Sequence, residues 1–102
     1  MSFKKQYLKS KPVCKVTFKL TKEEAKNAEN VRLVGDFNDW DLSSIPMKKL
    51  KNGSFSSTVE LAKDSEYQFR YLLDDQEWEN DWNADAYVTS PISFDDNSVV
   101  TV

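Results

Sequence analysis

Apolar and polar positions alternate with a period of two through most of the chain. Cys14, Val16, Phe18 and Leu20 alternate with Lys15, Thr17 and Lys19. Phe55, Ser57, Val59 and Leu61 repeat the pattern, and Tyr67, Phe69, Tyr71 and Leu73 stand against Gln68, Arg70 and Leu72. That period belongs to a strand with one face on a core. Val31 to Val34, Met47 to Lys51 and Asn97 to Val102 read as further strands. Between them lies turn chemistry: Gly35 to Asp41, Asn52-Gly53 as a hairpin signal, Lys63-Asp64-Ser65 and Asp74-Asp75-Gln76. Trp78 then opens a polar, aromatic segment to Val88, and Ser43 to Pro46 and Pro91 to Asp96 read as loops. Thr21 to Lys26 alone suits a helical turn, with Thr21 as its cap and Glu24 three residues on. About seven short strands with almost no helix predict an all-β fold, an antiparallel β-sandwich of immunoglobulin type. The Cys-Trp-Cys pattern of an antibody domain is missing.

A chain of 102 residues makes one domain, expected as a basic N-terminal arm over 1–12 and a sandwich over 13–102. A globule this small favours a shallow surface site over a deep pocket. No apolar run approaches the roughly 20 residues of a membrane helix, and no apolar stretch follows the first lysines as in a secretory signal. A cytoplasmic chain is expected. Cys14 is the only cysteine and sits in an apolar alternation, where it packs as a small hydrophobe.

The net charge of −3 is unevenly spread. Eight lysines fall within the first 26 residues, whereas from Asp64 onward Arg70 is the only cation against ten carboxylates. These charges read as solvated strand faces, or as a docking contact between a basic and an acidic end. The tryptophans lie mostly in the acidic half, which repels phosphate, so nucleic acid is not an expected partner.

Much chemistry is excluded by composition. Without histidine, and with one cysteine, there is no His general base, no Ser-His-Asp or Cys-His pair and no ordinary zinc site. Two glycines cannot build a phosphate-cradling loop. Asp36 to Asp41 evokes calcium, but the sixth and twelfth places of such a loop hold Asp41 and Met47 instead of Gly and Glu. Spare carboxylates (Glu77 with Glu79, Asp74 with Asp75) leave only a formal route to glycoside hydrolysis. No catalytic residue, metal or cofactor is expected.

The tryptophans carry the rest of the reading. Trp40 closes Gly35-Asp36-Phe37-Asn38-Asp39-Trp40 at the tip of a turn, and Trp78 and Trp82 follow later. Exposed aromatic rings mark binding surfaces. Sugar rings have an apolar C–H face and a hydroxyl rim, so they call for a ring to stack on and for amide or charged donors. Arg70, Asn38, Asn80, Asn83 and Asn97 are available as such donors. Phe37 continues the inward alternation of Val31, Leu33 and Gly35 and is expected in the core.

Val31 to Trp40 resembles the early-set N-terminal domains of isoamylase and glycogen branching enzymes, the family 48 carbohydrate-binding modules. It is similar also to the glycogen-binding domain of the AMP-activated protein kinase beta subunit, whose hallmark is Gly-x-Phe-Asn-x-Trp. Tyr67 to Asp81 resembles that family's second hallmark, a strand ending at Asp-Gly and leading to Trp and Asp-Pro; Asn97-Ser98-Val99-Val100 resembles its closing strand. The likeness runs from about residue 13 to residue 102. It implies an early-set sandwich that binds α-1,4-linked glucan such as glycogen, starch or maltooligosaccharide without catalysis. Trp40 and Trp78 would be the stacking rings. Arg70 (a Lys in the family) and Asn97 would bond hydroxyls, and Trp82, where the family usually has Pro, would add a platform or clamp a sheet edge. Asp75 stands in place of the turn Gly, and Glu77 looks like an extra residue. The alternative is a protein-interaction module that docks on a glycogen-metabolising enzyme or self-associates.

Overall fold

A computed structural model describes residues 3–44, 46–90 and 96–102. Among them are nine strands: β1 (Phe3–Tyr7), β2 (Val13–Leu20), β3 (Val31–Gly35), β4 (Lys48–Lys49), β5 (Phe55–Ala62), β6 (Glu66–Leu73), β7 (Glu77–Glu79), β8 (Ala86–Thr89) and β9 (Asp96–Thr101). They form two antiparallel sheets, ordered β1-β2-β5-β4 and β3-β6-β9-β8, with β7 also paired to β6. The fold is an immunoglobulin-like, early-set β-sandwich.

Each alternation predicted from sequence lands on a core face. Cys14, Val16, Phe18 and Leu20 of β2 face Phe69, Tyr71 and Leu73 of β6 as one buried cluster. Aromatic rings meet edge to face at its centre: Phe18 and Phe69 at 5.0 Å, Phe69 and Tyr71 at 5.6 Å. Phe37 is half-buried against this cluster, 5.8 Å from Phe18. Cys14 is buried and free.

The structure adds three strands that periodicity did not reveal. Phe3–Tyr7, within the expected basic arm, pairs with β2 along the sheet edge, and Phe3 packs on the core. β7 and β8 are short strands inside the polar aromatic segment. Only Lys48–Lys49 of the expected Met47 to Lys51 strand joins a ladder, because Leu50 turns into the hairpin loop and accepts from Gly53 N. Gly53 takes φ 86°, the left-handed value this turn requires. The Thr21 turn has both halves of a capping box: Glu24 N donates to Thr21 Oγ1 and Thr21 N to Glu24 Oε1. The expected Pro91 to Asp96 loop lies outside the described residues except for Asp96.

The uneven charge is partly consumed inside the molecule. Lys5 of β1 meets Asp85 at 2.7 Å, joining an edge of one sheet to the segment that enters the other. Lys26 reaches Glu77 and Glu79 at 2.8 and 3.0 Å, and these partners, Glu77 first, raise its ammonium above the ordinary lysine range.

Candidate functional site

The second sheet forks along one edge of β6. β9 pairs with the first half of β6, from Glu66 to Phe69, and β7 pairs with the second half, from Tyr71 to Leu73. Arg70 sits at the fork, between the two partners. Gln68, Arg70 and Leu72 share the outer face of β6, because side chains two apart point the same way. Leu72 is opposite Trp78 and Gln68 opposite Val99, so Trp78 and Val99 join that face. Asn97, one ladder place beyond Ser98, comes level with Arg70. The two meet directly: Arg70 Nε donates to Asn97 Oδ1 at 2.5 Å, and Asn97 Nδ2 donates to Gln68 Oε1 at 2.9 Å. Val34, Leu72 and Val99 are buried and form an apolar floor among these polar groups.

Over the fork lies a shallow groove of about 430 Å³, lined by Arg70, Trp78, Glu79, Asn80 and Asp96. Trp78 is 40% exposed beside Arg70, which is only 8% exposed. The groove thus brings an open aromatic ring, one guanidinium and two carboxylates together within a small area. Asn97 is brought to Arg70 and not to the groove wall; both ends of its amide are engaged below the surface.

A buried polar network keeps the fork open on the inner side. Ser98 Oγ donates to Asn80 Oδ1 at 2.7 Å and accepts from Asp81 N at 2.8 Å. Asp81 Oδ2 accepts from Tyr71 OH at 2.7 Å, and Asp81 Oδ1 from Asn83 N at 2.8 Å. Asn80 Nδ2 donates to the Asp96 carbonyl, tying the end of β7 to the start of β9. Burial, and then the nearby Asp81 carboxylate, push the Tyr71 phenol well above the ordinary tyrosine range. Asn80 and Asn83, candidate sugar donors by composition, therefore spend side-chain or backbone groups on the scaffold. Ser98 gave the one sequence signal of this network. It is a hydroxyl on the inward alternation with Val100 and Val102, and a buried hydroxyl must find partners.

Trp40 stands off the opposite edge of β6. Gly35 ends β3 where a Cβ would come within 2.5 Å of Gln68 O and 2.7 Å of Phe69 Cβ, so only glycine lets β3 and β6 close here. Asp36, Phe37 and Asn38 then form a 3-10 turn, with Asn38 accepting from Gly35 N and donating to Leu33 O. Asp39 and Trp40 both take φ 56°, a left-handed conformation that is costly for a bulky side chain. Asp36 holds the result: its Oδ1 accepts from Trp40 Nε1 and its Oδ2 from Gln68 N, each at 2.8 Å. The indole edge is thereby fixed near the Gln68 end of the row in which Trp78 marks the Leu72 end. At about 3.3 Å per residue, Gln68 and Leu72 lie roughly 13 Å apart.

Trp82 follows Asp81 in the connection between β7 and β8, is 50% exposed, and does not line the groove. Nearby, Tyr87 OH donates to the Asp81 carbonyl. The spare carboxylates have partners in the fold, although Glu79 also lines the groove. Glu77 and Glu79 pair with Lys26, Asp75 pairs with Arg32, and Asp74 Oδ1 accepts from Glu29 N and Asn30 N. Asp74 and Asp75 take φ 50° and 59°, so the turn keeps a left-handed geometry without the family's glycine.

Comparison with curated proteins finds no match for this chain. Residues 14–88 match the Carbohydrate-binding module 48 (Isoamylase N-terminal domain) family, over β2 to β8 and therefore over both tryptophan turns and the Arg70 strand. A match over that share of a sandwich with this topology places the chain in the Carbohydrate-binding module 48 (isoamylase N-terminal domain) family, a family of non-catalytic carbohydrate-binding modules.

Proposed function

We propose that the protein binds α-1,4-linked glucan, such as glycogen or a maltooligosaccharide, along the outer row of β6. The observation that carries this reading is the groove at the fork, where the exposed Trp78 ring stands beside the Arg70 guanidinium. Trp78 stacks on one glucose unit and Trp40 on another farther along the chain. Arg70 supplies charged donors to hydroxyls, with Asn97 and Gln68 fixing its orientation. The left-handed backbone at Trp40, a half-buried ring held by Asp36, supports its part, because strained conformations cluster at binding sites. Trp82 extends the platform for longer chains. A shallow groove desolvates little, so affinity falls on the order of micromolar to millimolar.

Electrophoresis through a native gel containing glycogen tests this. The protein is expected to be retarded, and Trp78→Ala to run freely with an unchanged unfolding midpoint. Wild-type mobility that is indifferent to glycogen overturns the reading. The rival, docking on a glycogen-metabolising enzyme, drew on the charge asymmetry. The pairs Lys5–Asp85, Lys26–Glu77 and Lys26–Glu79 already absorb part of it within one chain.

A further inference from the structure

A second concavity, of about 280 Å³, lies between the Thr21 turn and the β4–β5 hairpin, lined by Lys22, Asn27, Ala28, Lys49, Leu50, Lys51, Asn52 and Gly53. It shares no residue with the groove at the fork. Its polar side chains are three lysines and two asparagines, with no carboxylate, in a chain where acids outnumber bases by 17 to 14. None of the three lysines pairs with a carboxylate among the described residues.

Two of these lysines are held in place. A Cβ on Gly53 would lie 2.9 to 3.2 Å from Lys22 Cδ, Cγ and Cβ, so the Lys22 stem rests on the bare glycine backbone. Lys49 Nζ lies 5.7 Å from the centre of the Phe55 ring. Asn52 Oδ1 accepts from Ser54 N at 3.0 Å and from Ser54 Oγ at 2.5 Å, so the oxygen of this amide is engaged within the hairpin. The neighbouring hairpin is itself fixed by Leu50 N donating to Ser54 O and Gly53 N to Leu50 O.

From this arrangement we infer that the concavity is a binding site for a small phosphoryl compound, a phosphate ester or a diphosphate. A lining with three ammonium-bearing side chains and no carboxylate favours an anion. Lysine ammoniums act as point charges on phosphoryl oxygens, and asparagine amides add directional hydrogen bonds. The volume lies just below the usual range of small-molecule pockets, which suits a compact polyanion.

The test is titration of the 15N-labelled full chain with inorganic pyrophosphate and, separately, glucose 6-phosphate, at constant ionic strength. The expected result is saturable shifts confined to the amides of Lys22, Asn27 and residues 49–53, with a dissociation constant below about 10 mM. The better of the two ligands shows whether a diphosphate or a sugar ester is preferred. Lys22→Met, which keeps the stem on Gly53 and removes the charge, should weaken binding about tenfold and leave retardation by glycogen unchanged. Shifts spread equally over lysines outside the concavity, such as Lys15 and Lys19 of β2, no saturation, or wild-type affinity in Lys22→Met would each overturn the assignment.

Discussion

Arg70 and Asn97 meet at the place where β6 changes partners, with Arg70 Nε donating to Asn97 Oδ1 at 2.5 Å and both side chains almost fully buried. Neither residue alone explains the groove. Arg70 provides the charge at its floor, and Asn97 aims that charge by bridging it to Gln68. Asn97→Ala is therefore expected to cost about 1–3 kcal/mol of stability, because it removes the acceptor that Arg70 Nε uses in a buried place. It should also weaken glycogen retardation, although Asn97 does not line the groove. Asn97→Asp keeps the acceptor for Arg70 and should recover most of the retardation. Denaturant unfolding and the native gel read the two effects separately.

The backbone at Trp40 gives a second prediction. Trp40→Ala and Trp40→Gly both delete the ring, but only glycine takes φ 56° without strain. Trp40→Gly should be more stable than Trp40→Ala by about 1 kcal/mol, and neither should bind glucan as the wild type does. Equal midpoints in urea would mean that Trp40 does not hold this backbone conformation in solution.

Gly35 faces the opposite constraint. Its φ of −173° is open to any residue, but a methyl group there would meet Gln68 O, Phe69 Cβ and Phe69 Cα at 2.5, 2.7 and 3.0 Å. The obstacle is mostly backbone and cannot rotate away. Gly35→Ala is expected to lose at least about 2 kcal/mol in chemical denaturation, as β3 is pushed off β6.

Tyr71 makes stability depend on alkaline pH. Its folded-state phenol is raised well above the ordinary value near 10 by burial and by Asp81, so the unfolded chain releases that proton first. The contribution is fully present below about pH 10 and is lost as pH rises beyond it. Tyr71→Phe removes this titration but leaves Asp81 Oδ2 without its Tyr71 donor. The variant should be less stable than wild type at pH 8, with the gap narrowing above about pH 10. Urea midpoints across that range check it; a gap that widens with pH would contradict the buried phenol.

The sandwich was legible in the sequence because β2 and β5 each turn one face to the core and the core residues of β6 (Tyr67, Phe69, Tyr71 and Leu73) recur at the same spacing, which period two registers directly. β1, β7 and β8 were not, for different reasons. Phe3 and Tyr7 are separated by lysines that hide an edge strand, Glu77-Trp78-Glu79 is too short to show a period, and β8 is largely exposed. Trp40, Trp78 and Arg70 stood out because each chemistry is conspicuous in its segment. The fork was invisible, since it depends on β6 exchanging β9 for β7 and on Ser98, Asn80 and Asp81 meeting across distant parts of the chain. The same holds for Asp36, whose two oxygens join Trp40 to β6. Asn97 is expected from the sequence to bond hydroxyls directly; its engagement with Arg70 and Gln68 depends on side chains 27 and 29 residues away and leaves no such trace.

The central claim is that Trp40 and Trp78 together form the glucan platform, and the three indole N–H signals of the 15N-labelled protein test it most directly. On titration with maltoheptaose, the Trp40 and Trp78 signals should shift together along one saturation curve. The Trp40 signal should keep the low-field position of an N–H bonded to Asp36, since stacking uses the ring face. Saturation that moves only Trp82, or no indole shift up to the solubility of the sugar, would contradict the account.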